Sequence, residues 1–352
     1  MQEALFDKEQ GYYHTKNPLA DFITSPEISQ VFGELIAACF LQIFSAKKSK
    51  VALVEMGAGK GTLFFDILIT IKKFADKKIS QAIDFLEFAE LHIIEINPVL
   101  RKIQQEKLKD FEVEWHESFD EFLQQKNGQI FFLSNELFDC FPIDQFIKTD
   151  IGWCERLIDS ERFVIRNFDL KLHQFVEKEI TSLARIGAVF EYSFAARKFM
   201  TQLCEALNIH GGIAINFDYG YVQNDHVANQ LSEKSDPLIY KDSSSLKMVR
   251  NGDLRQSQNE FANTLQAVKN HRKVSLFEKD CDITAHVDFS ALDKIAKNFN
   301  LNSQLLTQRE FLISLGIEER RKKLPNENSA IDRLIAPDQM GELFKCHIIW
   351  KE

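Results

Sequence analysis

Apolar positions fall along the chain in two periods. Val51–Met56 is a short β-branched run that ends in glycines, which predicts a buried strand. Thr62–Phe74 follows with apolar residues at helical spacing, and Thr62 is placed to cap it. The same alternation returns downstream. Leu91–Ile96 predicts a strand, and Pro98–Lys109 a helix with proline in its first turn. Glu112–Trp115, Gln129–Ser134, Gly212–Phe217 and Leu343–Trp350 predict further strands, the third running into a turn at Asp218-Tyr219-Gly220. Strands alternating with helices predict an α/β fold with a mainly parallel, doubly wound, Rossmann-like sheet.

Two stretches break the pattern. Gln145–Asn167 alternates polar and apolar residues and carries aromatics, which predicts an inserted β-hairpin over one end of the sheet. Val222–Asn259 is rich in Ser, Asn, Asp and Lys and predicts a mobile loop. The expected organisation is a helical flap segment over 1–50, the first part of the core over 51–142, and an inserted hairpin and helical lobe over 143–200. The rest of the core follows over 201–352, with the polar loop at 222–262.

Composition narrows the partners. The 352 residues are 45% hydrophobic and 27% charged, a globular balance, and the formal net charge is -9. An acidic chain with no long Lys/Arg block is poorly suited to a phosphate backbone, so no nucleic acid partner is expected. Cys39, Cys140, Cys154, Cys204, Cys281 and Cys346 never fall at CxxC spacing. Neither a metal site nor a redox dithiol is signalled, and a reducing compartment is expected. The first ten residues are neither a basic secretory leader nor an arginine-rich transit peptide. Leu35–Ile43 is too short to span a bilayer, so no membrane insertion is expected. These features predict an intracellular, soluble protein.

Candidate chemistry begins at Glu55-Met56-Gly57-Ala58-Gly59-Lys60-Gly61-Thr62, between a strand and a helix. Glycines there let the backbone turn sharply and approach a ligand. The spacing departs from the GxGxxG dinucleotide fingerprint, because Thr62 stands at the last position, which argues against a nicotinamide oxidoreductase. Glu95, at the end of the second predicted strand, is placed to accept hydrogen bonds from both hydroxyls of a ribose. The alternative is a turn chosen only for tight strand–helix packing.

Several blocks, in order, resemble the MidA family of S-adenosylmethionine (SAM)-dependent methyltransferases. They are Gly11-Tyr12-Tyr13, Asp21 to Glu34, the glycine loop, Ile94-Glu95-Ile96-Asn97-Pro98, and Ser134-Asn135-Glu136-Leu137-Phe138-Asp139. Asp218-Tyr219-Gly220, Thr264-Leu265-Gln266-Ala267 with His271, Asp282 to Phe289, Gln308 with Phe311 to Gly316, and Met340 to Lys345 follow. Asn263 stands where the family commonly has glycine. The resemblance implies a class I methyltransferase sheet, SAM as cofactor, and as substrate an arginine side chain of a partner protein of the respiratory complex I subunit type. It also implies the cytoplasm in a bacterium and the mitochondrial matrix in a eukaryote.

Methyl transfer from a sulfonium is an in-line displacement by a nucleophile with a free lone pair. Carboxylates could orient an arginine fork through paired hydrogen bonds and offset its charge. Glu136 is the candidate for binding the target nitrogen group and Asp139 for assisting it; the alternative is that both cap a following helix. Asn135 touches the cofactor's methionine end or only ties the turn. Thr24-Ser25-Pro26-Glu27 reads as a helix start with Ser25 as N-cap, or as a flap whose Thr24 and Ser25 hydroxyls reach the cofactor. His286 and Asp288 read as an acid/base pair or a structural hydrogen bond, and Tyr12 and Tyr13 as a cover over the site or packing. The competing functions are a methyltransferase for another nitrogen or oxygen nucleophile, and an assembly factor that keeps the fold with little activity.

Overall fold

The computed structural model describes residues 1, 4–5, 11, 23–45, 49–159, 162–167, 185–222, 238–241, 246–249, 263–269, 272–278 and 281–351. Tyr12, Tyr13, His271 and most of the polar stretch 222–262 lie outside these residues.

The chain enters through α1 (Ser25–Ile28) and α2 (Val31–Ser45). A βα alternation follows: β1 (Val51–Met56), α3 (Thr62–Asp76), α4 (Ser80–Phe88), β2 (Ala89–Ile94), α5 (Pro98–Lys107), β3 (Val113–His116), α6 (Phe119–Gln125) and β4 (Gln129–Asn135). The caps explain the helix starts. Asn97 accepts from the backbone N–H of Val99 at 2.9 Å and Leu100 at 3.2 Å, with Pro98 in the first turn of α5. Ser118 accepts from Glu121 N–H at 3.1 Å ahead of α6. The cap of α3 is Gly61 in the left-handed region, not Thr62 as the sequence pattern predicts.

β5 (Asp144–Thr149), β6 (Gly152–Asp159), β7 (Arg162–Asn167) and β8 (Val189–Tyr192) leave the core. The predicted hairpin is thus a larger unit, a six-stranded sheet ordered β11-β10-β7-β6-β5-β8. Its β10 (Leu238–Lys241) and β11 (Leu246–Val249) come from within the stretch expected to be a loop. α7 (Phe194–His210) then returns to the main sheet, followed by β9 (Gly212–Tyr221). β9 carries on through Asp218-Tyr219-Gly220, where a turn was expected, because Gly220 pairs with Val287 of β15 (Val287–Asp288).

β12 (Gln266–Lys269), β13 (Arg272–Val274) and β14 (Asp282–Thr284) form a small third sheet. The chain closes with α8 (Phe289–Asn298), β16 (Asn302–Thr307), α9 (Gln308–Ser314), α10 (Ile317–Lys323), α11 (Asn328–Ile335), α12 (Met340–Leu343) and β17 (Phe344–Lys351).

The main sheet runs β16-β17-β9-β4-β1-β2-β3. β17 is antiparallel to both neighbours, and the order reverses between β1 and β4. Each face carries its own core. Phe32, Phe40, Phe64, Ile67 and Leu334 pack on one side, and Phe122, Phe132, Phe199, Leu203 and Phe289 on the other. A sheet buried on both faces explains why its strands read as unbroken apolar runs. Phe217 of β9 joins the parts, with ring centroids 5.0 Å from Phe32 of α2 and 5.2 Å from Phe311 of α9. No helix among the described residues is long and apolar enough to cross a membrane.

Phe217→Ala should therefore lower unfolding free energy by about 3–5 kcal/mol, the usual cost of emptying a buried phenylalanine site. Urea denaturation at unchanged slope checks it; a loss below about 1 kcal/mol would show that these rings do not join α2 and α9 to the sheet.

Candidate active site

A cavity of about 220 Å³ opens where the strand order reverses, at the carboxyl ends of β1, β2 and β4. Open α/β sheets bind ligands there. β1 and β2 pair up to Met56 and Ile94, and Gly57 N–H still donates to Ile94 O at 3.1 Å. The loop then turns away from the sheet. Gly57 (φ 72), Gly59 (φ 54) and Gly61 (φ 73) all lie in the left-handed region. At Gly57 a Cβ would also press Leu137 Cδ1 at 3.2 Å, so the loop lies against the cavity wall only as glycine.

Glu55, next to last in β1, is almost fully buried. Its Oε2 has no protein partner. Burial, reinforced by Glu95 and Asp66, pushes its carboxyl up to about 8. Glu95 accepts Asn97 N–H at 2.8 Å on Oε1 and Gln104 Nε2 at 3.0 Å on Oε2. Burial raises it too, against those hydrogen bonds. Gln104 also donates to Gly59 O at 2.8 Å and accepts from Trp115 Nε1 at 3.1 Å. It thereby ties the glycine loop to the acid. Neither Gln104 nor Trp115 stands out in the sequence, because a glutamine on an amphipathic helix reads as surface.

Glu136 follows β4 with φ 53, a conformation that is costly for a side chain bearing Cβ. Its N–H donates to Phe217 O at 2.8 Å, and its Oε1 receives Asn135 Nδ2 at 3.2 Å. Burial first, then Asp139 and Glu27, push this carboxyl up to about 8. Asp139 receives the Tyr219 hydroxyl at 2.6 Å and is raised to about 6 by burial.

Asp218 shapes the whole turn. Its Oδ2 accepts Phe138 N–H at 2.8 Å and Asp139 N–H at 3.2 Å, and its Oδ1 accepts Tyr219 N–H at 2.9 Å. No helix follows Glu136 and Asp139; the turn leads into β5, so the helix-capping alternative has nothing to cap. Asn135 Oδ1 is buried and, like Glu55 Oε2, has no protein partner.

Thr24 and, from α1, Pro26 and Glu27 line the cavity, and Glu27 Oε1 holds Lys60 Nζ of the glycine loop at 2.7 Å. Thr24 is the N-cap residue, one position earlier than predicted, and Ser25 turns its hydroxyl away to Gln308 Oε1 at 3.1 Å. Thr62 lines the cavity and receives Lys107 Nζ at 2.7 Å. Ser25 and Gly61 do not line it, and His286 lines a second, smaller cavity instead. There its ring meets Tyr219 edge-on at 5.5 Å. Asp282, Cys140 and Phe141 line the main cavity, a placement that depends on folding and not on local sequence.

Among the described lining residues are the carboxyls Glu27, Glu55, Glu95, Glu136, Asp139 and Asp282, against one ammonium, Lys60. Such a wall repels a diphosphate and attracts cations. The two orphaned buried acceptors, Glu55 Oε2 and Asn135 Oδ1, fit a ligand that brings its own donors, and Glu95 can serve a diol. SAM, with an ammonium, a sulfonium and a ribose, matches this set of acceptors.

Fold and site together define a SAM-dependent methyltransferase. The chain belongs to the family described as "putative S-adenosyl-L-methionine-dependent methyltransferase", whose pattern matches residues 35–247 and 251–307. Among curated proteins it is similar to the mitochondrial protein arginine methyltransferase NDUFAF7 of Danio rerio, at 28% identity over 98% of this chain and 81% of that one. The Homo sapiens counterpart is 27% identical over 98% and 77%. A Burkholderia thailandensis protein solved with S-adenosyl-homocysteine shares the fold, with TM-score 0.76, 22% identity and coverage of 99% and 86%. The MidA resemblance read from the sequence blocks, the fold class and the cofactor are borne out.

The raised carboxyls make stability depend on pH. Glu55 and Glu136 bind protons in the folded chain up to about 8 but release them near 4.5 when unfolded. Over that interval the folded state holds more protons, so stability falls as pH rises. Buried His92 and His116, with depressed values, act oppositely, but only below their ordinary 6.5. Without ligand, Tm should fall between about pH 6.5 and 8, and Glu136→Gln should flatten the slope. A rising wild-type Tm in that window would refute the assignment.

Proposed function

We propose that the chain is a protein arginine N-methyltransferase acting on an arginine side chain of a partner protein, of the respiratory complex I subunit type. The observation that carries this reading is Glu136, held at positive φ beside Asp139 and facing the cavity. Protein strain of this kind persists where surrounding bonds over-determine it, and it clusters at functional sites. The curated relatives, named as protein arginine methyltransferases, supply the substrate class.

In this reading Glu55, Asn135 and the glycine loop hold the methionine end of SAM, and Glu95, oriented by Gln104, takes the ribose. Thr24 and Thr62 border the same space. SAM supplies an electrophilic methyl on sulfur. Glu136 receives the guanidinium N–H groups and fixes the plane of the fork, while Asp139, steadied by Tyr219, offsets its charge. Arginine enters fully charged, so its cation draws the proton off Glu136 and leaves a carboxylate. Transfer would form the C–N bond as the sulfonium's S–CH3 bond breaks and its electron pair stays on sulfur, and the nitrogen would then shed a proton to one of the two carboxylates.

Purified chain, labelled SAM and arginine-containing peptides of complex I-type subunits test the substrate. The wild type should label arginine. Glu136→Gln should cut kcat by at least about a hundredfold, a usual contribution for a positioned acid–base or charge-stabilising group, while SAM still shifts Tm. Equal labelling by both forms would remove Glu136 from the mechanism; labelling at lysine or a hydroxyl would overturn the arginine assignment. Glu55→Gln should instead weaken SAM itself, read by calorimetry, and unchanged affinity would refute its role.

A further inference from the structure

Two buried histidines sit on adjacent strands away from the cofactor cavity. His92 of β2 stands in register with Glu114 of β3, and His116, two residues on, projects from the same face. His92 Nδ1 lies 3.0 Å from His116 Nε2, and Glu114 Oε2 lies 3.7 Å from His92 Nδ1. One atom from each of the three residues falls within 4.8 Å of the others. Phe122 of α6 packs edge-on against both rings, at 5.2 Å and 5.7 Å, and only Glu114 reaches solvent.

A neutral imidazole has one N–H and one bare nitrogen. The bond between the rings uses one of each, whichever ring donates. His92 Nε2 and His116 Nδ1 are then left buried with no hydrogen-bond partner. An ion between the rings would replace the ring-to-ring bond at His92 Nδ1 and His116 Nε2 and leave these outer nitrogens as they are. Burial keeps both rings neutral, and neutral imidazole is the form that binds a metal. A tetrahedral ion at about 2.0–2.1 Å from two nitrogens sets them about 3.3 Å apart, within a few tenths of the distance here. Behind His92, Glu90 Oε2 lies 3.9 Å from Nε2 and is fixed by the Asn127 backbone N–H at 3.0 Å. A carboxylate behind a ligating histidine orients its ring and raises its basicity.

We propose that His92, His116 and Glu114 form a site for a divalent transition metal of the zinc type, with water completing the shell. Two imidazoles and a carboxylate suit zinc or cobalt over calcium or magnesium. β3 is the edge strand of the sheet, so the ion enters past the exposed Glu114. His116 O accepts Glu95 N–H at 3.0 Å, so the ion would fasten the strand ends that carry the ribose acid.

The test is cobalt titration of the chelator-stripped full chain, followed by zinc displacement. The expected result is one equivalent of cobalt with the intense visible bands of four-coordination and no thiolate charge-transfer band, displaced by zinc. Glu114→Gln, a change at an exposed side chain, should weaken binding about tenfold or more, and His92→Asn should abolish the bands. If His92→Asn does not fold, Glu114→Gln decides alone. Absence of stoichiometric four-coordinate cobalt, a thiolate band, or bands unchanged in Glu114→Gln would each overturn the site.

Discussion

Carboxyl groups crowded around one cavity set the terms for the rest of the structure. Glu55, Glu136, Asp139 and Asp218 are drawn together at the ends of β1, β4 and β9, and burial raises all four. Such groups cannot all ionise without a cation. The free protein meets this constraint by protonation and by many short-range donors. Phe138, Asp139 and Tyr219 N–H groups satisfy Asp218, the Tyr219 hydroxyl satisfies Asp139, and Asn135 donates to Glu136. What remains open, Glu55 Oε2 above all, faces the space a ligand fills. A cationic cofactor therefore relieves a strain that folding itself creates.

The scaffold accepts that strain because it is rigid where the acids are anchored. β1 lies between two fully paired parallel neighbours, and Phe217 locks β9 between α2 and α9. Glu136 keeps a left-handed backbone because its N–H is held by Phe217 O. The residue that packs the core and the residue that shapes the site are thus bonded neighbours. Packing energy is spread over two faces of the sheet, and the local cost of one unfavourable φ is small beside it.

Local pattern made part of this legible. The glycine loop, Glu95 and Glu136 each follow an apolar strand, so period and punctuation place them at strand ends without knowledge of the fold. Residues that act across the chain carry no such mark. Asp218-Tyr219-Gly220 reads as a turn because Asp and Gly favour turns, yet long-range pairing with Val287 keeps it extended. Gln104 meets Glu95 and Gly59 only once α5 packs beside the loop. β16 alternates weakly on the sheet edge, so Asn302–Thr307 gives no strand signal. Thr62 and Ser25 have capping side chains, but Gly61 and Thr24 hold the cap positions, since the turn geometry decides by one residue.

The excess of acid also fits the charge balance of methyl transfer. Before reaction, the cavity of a nitrogen methyltransferase holding an arginine contains a sulfonium and a guanidinium. Afterwards the sulfur is neutral and the methylated guanidinium has lost a proton but kept its charge. One positive charge has left the ligands as that proton. In a cavity with balanced lining it would have to reach bulk water during the step. In the proposed reaction that proton would pass to Glu136 or Asp139, two carboxyls that burial raises in the free site. Held there, the proton would keep the total charge of lining and ligands constant from reactants to products, which a neutral lining of equal shape could not do.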